Sequence, residues 1–306
     1  MAGREERLSL PSARDDRAPG TVPARVRIQR LLPGVASTAL VFVVMLILFG
    51  PIVLLAVLSF DHSTIIALDW SGFTTQWYRD AWSNTDLRSA ILNSLLVATI
   101  VTAISMVLGT MCAFAVTRFR FRLRGAVAGL VGAPLVVPWL MIGVGAAIFF
   151  FHYHVPGLFP LSLHSVTAVQ VICTFPLVVA IVAARLVRFE TVQEEAAIDL
   201  GASRFQLLRH IILPQLTPSL CAAAIFAFSW SFNNFEIDFF VGGYDETFPV
   251  WVYSELRRAP NLPIINASST LISFVQVLLV WGVWRLLARG DGDASSQTAT
   301  VVDVIR

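Results

Sequence analysis

Residues 188–218 read RFETVQEEAAIDLGASRFQLLRHIILPQLTP, a charged, polar stretch set between two long apolar runs. Thr191 followed by Glu194 is a capping box, which starts a short helix near Val192. Val192, Ala196 and Leu200 fall on one face of that helix, with Ala197 beside them. Gly201 supplies the left-handed C-terminal position that other residues resist. Ser203 with Gln206 is a second capping box, opening a second helix whose apolar side carries Phe205, Leu208 and Ile212. Pro214 is expected to end that element. Two short capped helices hinged at one glycine, outside a bilayer, make a docking surface for another protein.

Outward from this insert the chain is almost wholly apolar. Spans are expected at about 34–60, 90–117, 126–151, 164–187, 215–241 and 268–288, each near the ~20 residues needed to cross a hydrocarbon layer. The 306 residues are 56% hydrophobic and 14% charged, with a mean hydropathy of +0.73. A soluble domain carries roughly 25% charged residues. The fold class is therefore all-α integral membrane with six transmembrane helices. Residues 1–33, rich in Arg and Pro, form a tail, 34–289 the spanning domain, and 290–306 a second tail. The first apolar run is too long for a signal peptide and lacks a small-residue cleavage site. Cys112, Cys173 and Cys221 lie inside apolar runs, where Cys acts as a small hydrophobe; neither a disulfide nor a metal site is expected.

Arginine placement sets the orientation. The chain has no lysine, and its basic residues are 22 arginines. With the N-terminus inside, 18 of them fall on inner segments: the N-terminal tail, 118–124, the insert and its flanks, and the C-terminal end. Only Arg79, Arg88, Arg257 and Arg258 remain outside. The positive-inside rule then makes both termini cytoplasmic, with the lipid bilayer as the chain's first partner. The outer loop 61–89 carries Trp70, Trp77, Tyr78 and Trp82, residues that sit at headgroup level.

Within the insert, Glu195-Ala196-Ala197, three residues, Gly201, nine residues and Ile211-x-Leu213-Pro214 resemble the cytoplasmic signature of binding-protein-dependent ABC importer permeases. The resemblance extends over about residues 55–275. LNSLLVATI (92–100), PLVVPWLMIGV (134–144), VVAIVAARLVRFE (178–190) and PVWVYSELRRAPNLPIINASST (249–270) are similar to the polyamine (spermidine/putrescine) branch, second permease subunit. One departure is visible. Where that branch has Ser-Phe-Asp-Asp-Phe, this chain has Ser231-Phe232-Asn233-Asn234-Phe235, with acids at Glu236 and Asp238.

The resemblance implies a type-1 importer permease fold, with a core of about 88–287 and a coupling loop at 188–214. Glu195, Ala196, Ala197, Gly201, Ile211, Leu213 and Pro214 would couple to a separate cytoplasmic ATP-binding subunit, which holds ATP and Mg. A second permease subunit would complete the path. A periplasmic or lipid-anchored solute-binding protein would deliver a small polar, polyamine-like cationic solute to loops 61–89 and 242–266. The setting implied is the bacterial cytoplasmic (inner) membrane.

Ser229, Asn233 and Glu236 follow i, i+4, i+7 and would form one polar stripe in the fifth span. An acid inside a span faces a pathway or a partner, or it lies at the interface and snorkels outward; Glu236 and Asp238 fit either. His152, His154 and His164 lack the further ligands a closed metal site needs and read as a solvated loop. A phosphate-binding loop needs a lysine, no hydrolase or metalloprotease pattern is present, and no catalysis or cofactor is expected here. No nucleic-acid partner is expected. An ion- or proton-coupled secondary transporter is the alternative, but it needs ionisable residues in several spans. An intramembrane enzyme lacks its catalytic constellation.

Overall fold

The computed structural model describes residues 24–63, 70–188, 192–258 and 262–305, with side chains described between 38 and 285. The chain divides into two compact units, Met1–Leu54 and Leu55–Arg306. The described part of the first unit is one helix, α1, Ala24–Leu58, which runs on into the start of the second. It begins ten residues before the expected span edge. Among the described residues of the second unit the regular elements are all helices, joined by loops that hold two isolated bridges, Asp61 with Phe73 and Pro156 with Phe159.

Two polar loops contain helices that their composition did not announce. A short helix, α2, Gln76–Ser83, lies in the loop after α1. It is followed by α3, Thr85–Arg118, 34 residues long with buried residues along most of its length. The Asn84 side chain caps α3 by accepting from the Leu87 amide at 3.0 Å, and Asp86 sits in the first turn with Arg118 in the last. Both charges suit the helix dipole.

The core is built by α3, by α6 (Leu163–Val187), and by α9 (Leu213–Phe232). On α3 the small residues Ala98, Ser105, Gly109 and Ala113 are buried along one stripe. Small side chains let membrane helices approach closely, because dispersion contacts must replace the absent hydrophobic drive. A Cβ on Gly109 would stand 2.7 Å from Val178 Cβ, so α3 and α6 meet there at backbone distance. Val178, Val182 and Leu186 of α6, with Ala223 and Ala227 of α9, close the same cluster.

The third expected span is not one helix. Residues 126–151 form α4, Arg124–Val136, and α5, Trp139–Tyr153, which meet at a bend of 100°. Pro138 causes it, because Val137 before it is pushed into extended backbone (ψ 130°) and cannot continue α4. The fifth span breaks too. After α9 the chain leaves the helix at Asn233–Phe235 and resumes as α10, Glu236–Val241. Asn side chains compete for backbone groups, and here the Asn234 Oδ1 accepts from the Ile237 amide at 3.0 Å. Ser229, Asn233 and Glu236 therefore do not form a stripe on a continuous helix.

Contacts at the ends of the helices decide how often the chain crosses. Arg118, at the end of α3, is ion-paired with Glu194, beyond the end of α6. Asn93 and Ser94, near the other end of α3, bond the Glu246 carbonyl and the Phe248 amide at 2.9 and 2.8 Å. Since α3 and α6 are each long enough to cross and finish on one side, the bent pair α4–α5 must carry the chain across between them. With α1, with the run Arg204–Phe232 that contains α9, and with α12 (Leu262–Ile305), the described residues make six crossings. The last helix continues through residues read as a tail from 290, and an amphipathic helix, α11, Phe248–Arg258, occupies the loop before it.

Candidate functional site

The insert folds as two elements around Gly201. The first is α7, Val192–Asp199. The capping box expected at its start lies outside the described residues, because Thr191 is not described; Glu194 is engaged by Arg118. Gly201 has φ +86°, the left-handed region, and no atom lies within 4 Å of where its Cβ would be. The second capping box is formed: Ser203 Oγ accepts from the Gln206 amide at 3.3 Å, and the Ser203 amide donates to Gln206 Oε1 at 2.8 Å.

This cap opens α8, Arg204–Leu207, and Pro214 does not end it. The helix passes through a π-helical turn, Leu208–Ile212, directly into α9, giving one run Arg204–Phe232. Pro lacks an amide and crowds the carbonyl four residues back, and the wider π turn directly before Pro214 accommodates this. The same turn changes which side chains face inward. Leu207 and Ile212 are buried, whereas Phe205 is 68% exposed and Leu208 is also exposed, contrary to the expected apolar side.

The residues predicted to couple are therefore distributed as follows. Glu195, Ala196 and Gly201 are exposed; Ala197 and Ile211 pack against the core cluster; Leu213 and Pro214 begin α9 on its exposed side. Val192 (67% exposed) and Leu200 (89%) add apolar surface around them. Together they leave an apolar face exposed beyond the end of a span.

The second site is a cleft of about 700 Å³ lined by Pro138, Trp139, Leu140, Phe226, Ser229, Trp230, Asn233, Asn234 and Glu236. It lies where the two helix breaks face each other. Gly143 makes this possible: a Cβ there would come 3.1 Å from the Glu236 carbonyl, so α5 packs directly on the start of α10. The Trp139 and Trp230 rings meet edge to face at 5.2 Å between centroids. Asn233 Nδ2 donates to the Ser229 carbonyl at 2.8 Å. Glu236 is exposed and, among the described residues, is the one charged residue lining the cleft. Ser229, Asn233 and Glu236 thus do share a surface, brought there by a break rather than by helical spacing.

Asp238 does not line the cleft. It is buried behind it and accepts from Gln170 Nε2 and, at 2.7 Å, from Thr247 Oγ1. Ser231 donates to Gln170 Oε1, so a buried polar chain of Ser231, Gln170, Asp238 and Thr247 bridges the two sides of the break. Asp238 is a structural acid, satisfied by neutral donors, as buried polar groups must be. Gln170, Thr247, Trp139 and Trp230 were not singled out from the sequence, and Asn234 was noted only as a departure from the branch pattern. Gln170 was findable as a strong polar group in mid-span; the tryptophans were not, since lipid-facing Trp has the same local pattern.

Comparison with known proteins agrees with this architecture. A spermidine/putrescine transport system permease protein of Shigella flexneri is 31% identical over 269 residues, 87% of this chain and 98% of that protein. A putrescine transport system permease protein of Escherichia coli (strain K12) is 31% identical over 249 residues, covering 80% and 88%. One chain of a solved bacterial ABC transporter, involved in import of the acidic polysaccharide alginate, superposes with a TM-score of 0.65. The identity is 15%, over 88% of this chain and 99% of that one, so this likeness concerns the fold alone. The profile described as "Binding-protein-dependent transport system inner membrane component" matches residues 105–289. The chain belongs to that family, as a permease subunit of a binding-protein-dependent importer.

Proposed function

We propose that this chain forms one half of the membrane path for a small organic cation of the polyamine class. The observation that carries the reading is the cleft between the two broken spans. Irregular backbone at membrane depth is tolerated only where protein buries it or where it lines a watery cavity, and interrupted helices are how transport sites expose polar groups near the midplane. The cleft offers one carboxylate, on Glu236, and two tryptophan rings. An ammonium group is attracted both to a carboxylate and to an indole face. Two relatives, 31% identical, are named as polyamine permeases, which supports the same solute class.

A second permease subunit completes the path against this one. ATP and Mg are held by a cytoplasmic subunit docked on 190–214, with Glu195, Ala196, Ala197 and Gly201 at the contact and Ile211, Leu213 and Pro214 linking it to α9. A binding protein delivers solute to the opposite face, both termini are cytoplasmic, and this chain itself catalyses nothing. The setting is the bacterial inner membrane.

The test is Glu236→Gln in the assembled transporter, reconstituted in vesicles and supplied with polyamine-loaded binding protein. Uptake is expected to fall tenfold or more, with subunit assembly intact, since removing one partner of a charged contact costs on the order of 1.5–3 kcal/mol. Wild-type uptake of every polyamine tested, in a variant that assembles normally, overturns the assignment.

A further inference from the structure

The docking segment is tied to the membrane body at a point that the family signature does not include. Arg118 is the last residue of α3, and its guanidinium Nη2 contacts Glu194 Oε1 in the first turn of α7. Their side chains are 21% and 16% exposed, so solvent screens the pair less than an open surface bridge. The polarity also fits: a cation closes the C-terminal end of α3, and an anion opens α7. A second link joins Gln215 Nε2 on α9 to Gln193 Oε1 at 2.6 Å. Beyond these, α7 meets the core cluster through Ala197.

What lies at the other end of α3 gives the pair its meaning. The 34 residues of α3 span about 50 Å at 1.5 Å per residue. Close to the far end, Asn93 donates to the Glu246 carbonyl, and Ser94 accepts from the Phe248 amide. Those contacts hold the segment that joins α10 to α11 and carries Thr247, whose hydroxyl binds Asp238 behind the cleft. Between the two ends, Gly109 seats α3 on α6 at backbone distance, and the stripe Ala98, Ser105, Gly109, Ala113 leaves no soft layer to absorb a displacement. One rigid helix thus connects α7 with the loop behind the cleft.

We propose that the Arg118–Glu194 pair is a transmission latch, through which movement of the docked insert is passed to α3 and along it to the cleft. Both are positioning residues: they touch neither solute nor nucleotide. The proposal rests on the reading of 190–214 as the docking segment, and its test keeps the two apart.

Arg118→Gln, Glu194→Gln and the exchanged pair Arg118→Glu/Glu194→Arg are introduced into the complete transporter and reconstituted. Three quantities are read: ATPase subunit retained on purification, ATP hydrolysis with and without loaded binding protein, and solute taken up per ATP. Each single variant is expected to retain the ATPase subunit while losing uptake per ATP about fivefold or more, the scale of a site-to-site coupling. The exchanged pair is expected to recover above both singles, the non-additivity expected of two charges in contact. Wild-type uptake per ATP in either single variant overturns the latch, as does an exchanged pair no better than the singles. Loss of the ATPase subunit from the single variants also overturns it, since the pair would then be holding the dock and not transmitting. The docking reading is tested separately by Ala196→Arg: full retention of the ATPase subunit there sinks that reading, whatever the latch does.

Discussion

Glycines at three positions show how differently one missing methyl can act. Gly243 has φ +64°, and an added Cβ would lie 2.2 Å from the Leu161 carbonyl oxygen, where only backbone movement could make room. Gly109 is helical, with its obstacle Val178 Cβ at 2.7 Å. Gly282, on α12, has nothing within 4 Å. Gly243→Ala is expected to destabilise most, combining a left-handed backbone cost of about 1–2 kcal/mol with a backbone clash. Gly109→Ala is expected to cost about 1–3 kcal/mol, the range for overpacking. Gly282→Ala should leave stability unchanged or raise it by up to about 1 kcal/mol, as for any open helical site. Thermal unfolding of the detergent-solubilised transporter, followed by tryptophan fluorescence, gives the order; equal melting temperatures for Gly109→Ala and Gly282→Ala would contradict the close α3–α6 contact.

Helices in this protein are interrupted for reasons that differ from one to the next. The α4–α5 bend follows from Pro138 acting on Val137, the α9–α10 break from an Asn pair, and the π turn from Pro214. The hinge at Gly201 belongs to the same scale, and its surroundings make it a clean probe. Beyond its chain neighbours nothing stands within 4 Å of its Cβ position, so within this chain a substitution acts through φ. Gly201→Val is expected to insert in the membrane normally but to abolish uptake, because a β-branched residue is a genuine outlier at φ +86°. Gly201→Asn should keep most of the activity, since Asn visits that region readily. Vesicle uptake separates the two, and equal losses would mean that the position matters by its contacts with a partner and not by its backbone.

Across the membrane body the end-to-end contacts predict a definite sidedness. Arg122 and Ser203 should lie on one side, with Asp80, Leu158 and Glu255 on the other. The Arg118–Glu194 pair supports the first grouping; the Asn93 and Ser94 bonds to Glu246 and Phe248, with the Ser165 hydroxyl donating to the Val241 carbonyl at the start of α6, support the second. Accessibility of single cysteines at these five positions to an impermeant thiol reagent, in a background lacking Cys112, Cys173 and Cys221, reports it directly. Labelling of Leu158→Cys from the same side as Arg122→Cys would mean that the bent pair re-enters, and the six-span count would fall.

Six apolar runs, the insert with its Ser203–Gln206 box, and the glycine hinge were legible from residue order, because they depend on hydrophobic length and on contacts three or four positions apart. The direction in which a helix leaves a break is different. Apolar residues continue on both sides of Pro138 and of Asn233, so 126–151 and 215–241 each read as one span. The inward side of α8 was misread for a related reason, since helical spacing carries no sign of the π turn that rotates it. Asp238 and Glu236, two residues apart, looked alike in the sequence. Tertiary packing separated them, giving Asp238 the neutral donors Gln170, 68 residues away, and Thr247, on the loop after α10, and leaving Glu236 on the open cleft. The latch was hidden likewise: Arg118 and Glu194 are 76 residues apart, and only the return of α6 beside α3 brings their charges together.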